Sequence, residues 1–290
     1  MWILFTLLAA FAQSWRNALQ SRLSTEVKAS GVTLARFLYA GPIAAVYLSG
    51  LYLWRPTDLL SPSWPLVQYV IGAALMQIVA TALMVRLFQM RNFAVGAGLA
   101  KSEALMAAVL GTLFFGTSLS WLGWLGVLLG AIAVMLLSSK GGLKQLSLST
   151  IVTGLLCGTA FALTSLWVRQ ASLTINLPFP HRAAWVLLLV IGLQTLLLLA
   201  YLRWRDHATL QALWQRPKLT LAVSVTSCVG SIGWFSAMAL EAVPLVKTLG
   251  QIEVFFTLMI AALWLKQRPK INDVLGLGLI AVAAILVMWS

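Results

Sequence analysis

The sequence predicts an all-α polytopic membrane protein with ten transmembrane helices arranged as two inverted five-helix repeats. Three observations support this fold class: the composition, the length of the apolar runs, and a repeat between the two halves of the chain. The 290 residues are 61% hydrophobic and 9% charged, with a mean hydropathy of +0.93, whereas a soluble domain is about 25% charged. So few charged side chains cannot cover a soluble protein of this size. A soluble enzyme, a nucleic-acid-binding protein and a disordered tail are therefore excluded.

Five apolar runs in the first half of the chain have the length of about 20 residues that a helix needs to cross a bilayer. Turn-forming residues separate them: Arg55-Pro56-Thr57-Asp58 and Ser61-Pro62-Ser63 lie between the second and third runs, and Gly141-Gly142 follows the fifth. In lipid only helices and closed barrels satisfy the backbone, and these runs are too long for barrel strands. The predicted helices are 2–21, 30–53, 64–87, 93–116 and 120–138.

The second half of the chain has the same organisation. Pro178-Phe179-Pro180 separates its first two runs, Pro217 precedes the third, and Pro269 lies between the last two. We expect the first helix of the chain to be retained, because Met1 and Trp2 lead into an apolar run without the basic segment of a cleavable signal peptide. The predicted helices of this half are 149–168, 183–202, 219–240, 244–265 and 272–289.

The net charge of +13 is carried by basic residues that lie singly or in pairs between apolar runs. This pattern is typical of loops at the cytoplasmic face of a membrane and does not indicate a nucleic-acid partner. Fifteen lysines and arginines border the loops on one side of the predicted bundle, whereas three, Arg55, Arg169 and Arg182, border the other side. The positive-inside rule therefore predicts a multi-pass protein of the cytoplasmic (inner) membrane with both termini outside the cytoplasm.

An internal repeat relates the two halves, predicted as 1–140 and 149–290. An offset of 150 residues superposes Glu103 on Glu253 and Phe11-Ala12 on Phe161-Ala162. Matches among leucine, alanine and glycine arise easily by chance, but ionisable residues deep in a membrane are rare. Each half has an odd number of helices, so the second must enter the membrane from the opposite side. Inverted repeats of this kind are typical of transporters, in which two halves alternate around a site near the bilayer midplane.

Glu103 and Glu253 are the main candidates for substrate binding or ion coupling. Each lies nine or ten residues into a predicted helix, about 13–15 Å deep in a core of about 30 Å. A charge at that depth costs several kcal/mol and needs a cavity, a partner or a proton. The functional interpretation is a proton-coupling or substrate-binding carboxylate. The structural alternative is a permanently protonated acid that joins two helices by a hydrogen bond.

Two lysines accompany the glutamates. Lys101 is too deep to reach the interface easily, which favours a cavity or a carboxylate partner, whereas Lys247 lies about one turn inside its helix, where its ammonium could extend to the interface. The predicted topology places the two lysines on opposite sides of the glutamates. We therefore expect a pair across the repeat, either Glu103 with Lys247 or Glu253 with Lys101.

Other polar residues within apolar runs are weaker candidates. Gln13, Arg16 and Asn17, near the cytoplasmic end of the first helix, form either an interfacial anchor or the inner mouth of a substrate path. Residues of helices 3 and 8 are candidates for the lining of the same path: Gln77, Thr81, Ser227, Ser231 and Trp234. Cys157 and Cys228 lie in apolar runs and suggest no disulfide. The sequence contains no phosphate-binding loop, metal-ligand cluster or catalytic triad, so we expect no cofactor and no enzyme activity.

The stretches Gly96–Leu137 and Val246–Val287 resemble the drug/metabolite transporter superfamily, EamA type, and the repeat extends the resemblance over the whole chain. Family members often have Gly-Glu after the fourth helix, where this chain has Gly116-Thr117, and Leu265-Lys266 at the matching place in the second half. The resemblance implies a secondary transporter of small metabolites.

From these patterns we expect an exporter of a small polar or amphipathic metabolite, for example an amino acid, coupled to protons through Glu103 or Glu253. Its partners would be the substrate, protons and the lipid bilayer, and it would be a monomer or a homodimer. The first alternative is an importer or exchanger of an organic anion, with Lys101 as the anion anchor. The second is a non-transporting membrane subunit of a lipid-modifying complex.

Overall fold

The computed structural model describes residues 1–89, 102–138, 148–264 and 271–289, and within these ranges every regular element is a helix. The all-α polytopic membrane fold is confirmed. Within the described ranges, six helical segments are long and apolar enough to cross a membrane, and three shorter apolar helices accompany them. The helices are α1 (Trp2–Leu23), α2 (Ala29–Phe37), α3 (Ala40–Trp54), α4 (Trp64–Gln89), α5 (Glu103–Phe114), α6 (Trp121–Ser138), α7 (Leu148–Thr174), α8 (His181–Arg205), α9 (His207–Trp214), α10 (Pro217–Leu240), α11 (Val243–Gly250), α12 (Glu253–Trp264) and α13 (Ile271–Met288).

The bundle is held together by a few extensive helix pairs. α1 packs along α10, α4 packs along α7, and α6 packs along α13. α5 contacts α7 and α11, while α12 contacts α1. Large apolar side chains on the outer surface, such as Val46, Leu113 and Leu196, are largely exposed in the isolated chain, as expected where lipid covers the protein.

Two predicted helices are interrupted. The predicted helix 30–53 is divided into α2 and α3 for two reasons. Pro42 has no N–H to donate to the carbonyl of Leu38, four residues earlier. In addition, the Ser224 hydroxyl of α10 lies between two backbone groups that would otherwise bond to each other. The amide N–H of Tyr39 donates to Ser224 Oγ at 3.2 Å, and Ser224 Oγ donates to the carbonyl of Ala35 at 2.5 Å. A side chain inserted into the helical hydrogen-bond ladder is a known cause of a kink.

The predicted helix 244–265 is divided into α11 and α12. Between them, the amides of Gln251 and Ile252 bond to carbonyls three residues earlier instead of four, which is the tighter 3₁₀ pattern. Glu253 is consequently the first residue of α12, and Glu103 is likewise the first residue of α5. The prediction that both glutamates lie inside continuous helices was wrong for Glu253, and the segment before Ser102 lies outside the described residues.

The predicted helix 149–168 extends to Thr174. It continues past Arg169 because the charged side chain of this residue is bound by backbone carbonyls of a neighbouring helix. Arg169 Nη1 donates to the carbonyl of Met238 at 2.8 Å and also bonds to the carbonyl of Glu241, while Arg182 Nη2 donates to the carbonyl of Ala239 at 2.8 Å. The two arginines thus satisfy carbonyls at the end of α10 that no helical N–H reaches.

The short helix α9 was not predicted from the sequence. Asp206 caps it by accepting from the backbone N–H of Thr209 at 3.2 Å, and it also binds Lys28 at 2.9 Å. The Lys28 ammonium and the Thr209 hydroxyl hold the pKa of Asp206 below its ordinary value. These contacts join the loop after α1 to the end of α8.

Gly233 allows the backbones of α1 and α10 to approach closely. A Cβ atom at this position would lie 2.7 Å from the carbonyl oxygen of Phe5 and 2.9 Å from the Cβ of Ala9. We expect Gly233→Ala to lower the free energy of unfolding by about 1–3 kcal/mol, as overpacking does. Thermal unfolding of the purified protein in detergent measures this effect.

The matched control is Gly192→Ala in α8, where an added Cβ meets nothing within 4 Å. In that position alanine only raises helix propensity, so stability should stay unchanged or rise by up to about 1 kcal/mol. Equal unfolding temperatures for the two variants would contradict the close approach of α1 and α10.

Candidate functional site

A buried polar cavity lies at the centre of the bundle, between residues of both halves of the chain. It has a volume of about 40 Å³, and a second space of about 20 Å³ adjoins it. Gln13, Glu103, Trp234 and Lys247 line both spaces. A cavity needs about 10–15 Å³ of such volume to hold one water molecule, so this space holds no more than a few waters in this conformation.

Glu253 is held by two amide side chains of α1. Gln13 Nε2 donates to Glu253 Oε2 at 2.5 Å, and Asn17 Nδ2 donates to Glu253 Oε1 at 2.7 Å. Only 3% of Glu253 is exposed. Because both carboxylate oxygens accept hydrogen bonds from N–H donors, the arrangement suits the ionised form of the side chain.

Glu103 forms an ion pair with Lys247, which is one of the two pairs across the repeat expected from the sequence. The distance from Lys247 Nζ to Glu103 Oε1 is 2.8 Å, with 10% and 16% of the two side chains exposed. Ser165 Oγ donates to the same carboxylate oxygen at 3.1 Å. The idea that Lys247 extends to the membrane interface was therefore wrong, because its ammonium has a buried carboxylate within reach.

Trp234 connects the two glutamate clusters. Its indole Nε1 donates to Gln13 Oε1 at 2.9 Å, and its ring lies under the Lys247 ammonium with 4.1 Å between Nζ and the ring centroid. A cation over an indole face is attracted by the ring quadrupole. Contacts thus run without interruption from Glu103 through Lys247, Trp234 and Gln13 to Glu253.

Two arginines also line the cavity. Arg16 is 4% exposed and donates from Nη2 to Asn17 Oδ1 at 2.9 Å, so it is part of the cavity wall and not an interfacial anchor. Arg36 is 3% exposed and donates from Nη1 to Thr81 Oγ1 at 2.9 Å. The described cavity residues therefore carry three cations, Arg16, Arg36 and Lys247, and two carboxylates.

Of the remaining predicted site residues, some line the cavity and others do not. Gln77 lines the cavity, and its Oε1 accepts from Gln194 Nε2 at 2.7 Å. Ser231 also lines the cavity, whereas Ser227 is buried elsewhere. Lys101 lies outside the described residues, so neither its expected pairing with Glu253 nor its part in the cavity is described.

Three residues in or next to the cavity were not predicted from the sequence as site residues: Arg36, Ser165 and Gln194. Arg36 was counted as a loop charge because it lies near the start of an apolar run, although one helical turn is enough to carry an arginine into the bundle. Ser165 and Gln194 gave no local signal, since isolated polar residues in membrane helices commonly bond to backbone. Among the described residues, no group of three or more His, Cys, Asp or Glu side chains could hold a metal ion.

Comparisons with known proteins agree with this architecture. Among solved structures, one crystal structure of a protein shares 15% identity with this chain, with a TM-score of 0.68 and 98% of each chain covered. At that identity the likeness shows the fold alone. No curated protein matches the sequence.

The sequence of the second half is similar to a known family. Residues 148–289 match the EamA-like transporter family. The family resemblance noted from the sequence is thereby confirmed, and members of this family are transporters rather than enzymes. The chain belongs to the drug/metabolite transporter superfamily, as a membrane transporter of the EamA-like type.

Proposed function

We propose that the protein is a secondary active transporter that exports a small polar or amphipathic metabolite by alternating access, with the central cavity as its binding site. The observation that carries this proposal is the continuous set of contacts from Glu103 to Glu253, which joins residues of both halves inside the membrane. Ionisable residues are expensive there and are typically retained for substrate or ion pathways. A cavity of about 40 Å³ is too small for a metabolite, so the substrate must separate these contacts as it binds.

The packing of helices supports the two inverted repeats, 1–140 and 149–290. Suppose that α1 of the first half corresponds to α7 of the second, and that α4 corresponds to α10. The symmetry-related equivalent of the α1–α10 contact is then the α7–α4 contact, and the structure contains both. In the same way the α5–α7 contact exchanges with the α12–α1 contact. Two halves related in this way can exchange inward-open and outward-open arrangements around a central site.

Proton coupling through Glu253 has a simple physical basis. Protonation of Glu253 Oε2 would turn an acceptor into a donor and oppose the N–H of Gln13. Gln13 cannot reverse its amide without losing the bond from Trp234 Nε1. A proton on Glu253 would therefore loosen either the link between α1 and α12 or, if the Gln13 amide reverses, the link between α1 and α10. The same proton would be released when the links reform. Glu103 is the second coupling candidate, through its ion pair with Lys247.

The test is a pH-jump assay on the purified protein in liposomes, with a panel of metabolites. We expect substrate-dependent proton movement in the natural protein, lost in Glu253→Gln or Glu103→Gln. Glu26→Gln is the matched control, because Glu26 pairs with Arg216 outside the cavity. Substrate flux without proton movement would contradict the coupling and favour a facilitator or an exchanger.

The same preparation separates the rival functions. Flux measured in right-side-out and inverted vesicles distinguishes an exporter from an importer or exchanger of an organic anion. An inert purified protein that works only with a second chain would favour a subunit of a lipid-modifying complex. The proposal keeps the cytoplasmic membrane as location and both termini outside the cytoplasm, although Arg16 and Arg36 are buried and no longer count as loop charges.

A further inference from the structure

Arg36 is a buried cation without a carboxylate. It lies in α2 with 3% of its surface exposed, and its Nη1 donates to the Thr81 hydroxyl at 2.9 Å. Its Nε has no hydrogen-bond partner among the described residues. The rings of Phe37 and Phe161 lie 5.4 and 6.0 Å from the guanidinium carbon. Neither a hydroxyl nor an aromatic ring neutralises a guanidinium.

The acids whose side chains the structure describes form no ion pair with this cation. The sequence has seven aspartates and glutamates, and none lies in the segments outside the described ranges, which contain only basic charges. Glu103 is paired with Lys247, and Glu253 is held by Gln13 and Asn17 next to Arg16. Arg36 forms no ion pair with any carboxylate whose side chain the structure describes.

We propose that the transported metabolite carries a carboxylate and that Arg36 binds it. This inference rests on the proposed function, since it takes the central cavity as the substrate site. A buried, unpaired guanidinium is costly, and a ligand that brings one negative charge removes that cost. A carboxylate matches the single excess positive charge of the described cavity residues, whereas a phosphate monoester carries about −1.5 to −2 at neutral pH. The planar guanidinium also suits the two oxygens of a carboxylate.

The experiment compares carboxylates with the corresponding amides, which lack the negative charge but keep the rest of the molecule. Purified protein is incubated with alanine and alaninamide, lactate and lactamide, and with glycerol phosphate, and binding is measured by thermal stabilisation and by flux into liposomes. We expect at least one acid to bind the natural protein about thirtyfold or more tightly than its amide, the ratio that corresponds to about 2 kcal/mol. Arg36→Gln should lose this preference, and Arg36→Lys should keep part of it. Arg86→Gln, at an exposed position on α4, is the control and should keep all of it.

A purely structural role for Arg36 predicts something else. Arg36→Gln removes an uncompensated charge, so we expect its unfolding temperature without ligand to equal or exceed that of the natural protein. A strong fall in that temperature would overturn the assignment of Arg36 to the substrate. Equal binding of acids and amides by the natural protein, no binding by any acid, or a preference for glycerol phosphate would also overturn it.

The two proposals fail in different ways. If acids bind through Arg36 but no compound crosses the bilayer, transport is contradicted and the role of Arg36 stands. If neutral compounds cross at rates that Arg36→Gln leaves unchanged, transport stands and the carboxylate specificity is contradicted.

Discussion

Lys247→Met is expected to abolish transport and to lower the free energy of unfolding by about 3–5 kcal/mol, the usual cost of removing one partner of a buried ion pair. Lys247 Nζ lies 2.8 Å from Glu103 Oε1, and both side chains are at least 84% buried. Without the ammonium, the Ser165 hydroxyl is the hydrogen-bond donor that Glu103 keeps in the part of the chain that the structure describes. The variant also loses the cation over the Trp234 ring. Thermal unfolding and liposome flux measure the two effects.

A double variant tests how much of the stability loss comes from the unpaired Glu103 carboxylate and how much comes from the missing Lys247 side chain. In Glu103→Gln/Lys247→Met no carboxylate is left unpaired, so we expect it to be more stable than Lys247→Met, although still inactive. Lys28→Met is the surface control. The ion pair of Lys28 with Asp206 is similarly short, at 2.9 Å, but 72% of the Lys28 side chain is exposed, and exposed pairs contribute little. A stability loss in the double variant equal to the sum of the two single losses would show that the groups are not coupled.

Gln13→Leu should have the second largest effect, because one side chain serves both glutamate clusters. It removes the acceptor of Trp234 Nε1 and the donor to Glu253 Oε2. A buried polar group left unsatisfied costs about 1–3 kcal/mol, and this change removes the acceptor of the Trp234 indole and one of the donors to Glu253. We therefore expect a clear fall in unfolding temperature together with loss of substrate-dependent proton movement.

Thr6→Val is the matched control on the same helix. The hydroxyl of Thr6 is fully buried, but it donates only to the carbonyl of Trp2 in its own helix turn, so its removal orphans no group of another helix. We expect transport close to that of the natural protein. If Gln13→Leu and Thr6→Val proved equally active, the link from Trp234 to Glu253 would have no part in transport.

The sequence allowed the fold class and the two glutamates to be predicted for the same physical reason. A bilayer core imposes a length of about 20 apolar residues on each helix and makes any acid inside it exceptional. Glu103 and Glu253 were therefore conspicuous, and the predicted topology suggested two pairs across the repeat, of which Glu103 with Lys247 is present. Signals of this kind need no knowledge of tertiary contacts.

Features that depend on a distant part of the chain could not be predicted. Arg36 has the same local surroundings as an arginine at the end of a membrane helix, and only the approach of α4 and α7 encloses it. The division between α2 and α3 has Pro42 in the first turn of α3, but the Ser224 contact that bridges the break comes from another helix and leaves no local signal in the sequence. Arg169 suggested a helix end, yet its contacts with the end of α10 allow α7 to continue.

The Ser224 bridge has a mechanical consequence for a transporter of this kind. The division between α2 and α3 is fastened to α10 by two hydrogen bonds, so a change of angle there must carry α10 with it. The division between α11 and α12 is fastened to α1 instead, through the bonds that Gln13 and Asn17 donate to Glu253. The first division is thus held by a neutral hydroxyl and the second by an ionisable carboxylate. In the proposed mechanism, a proton on Glu253 would loosen the second division and leave the first one fastened.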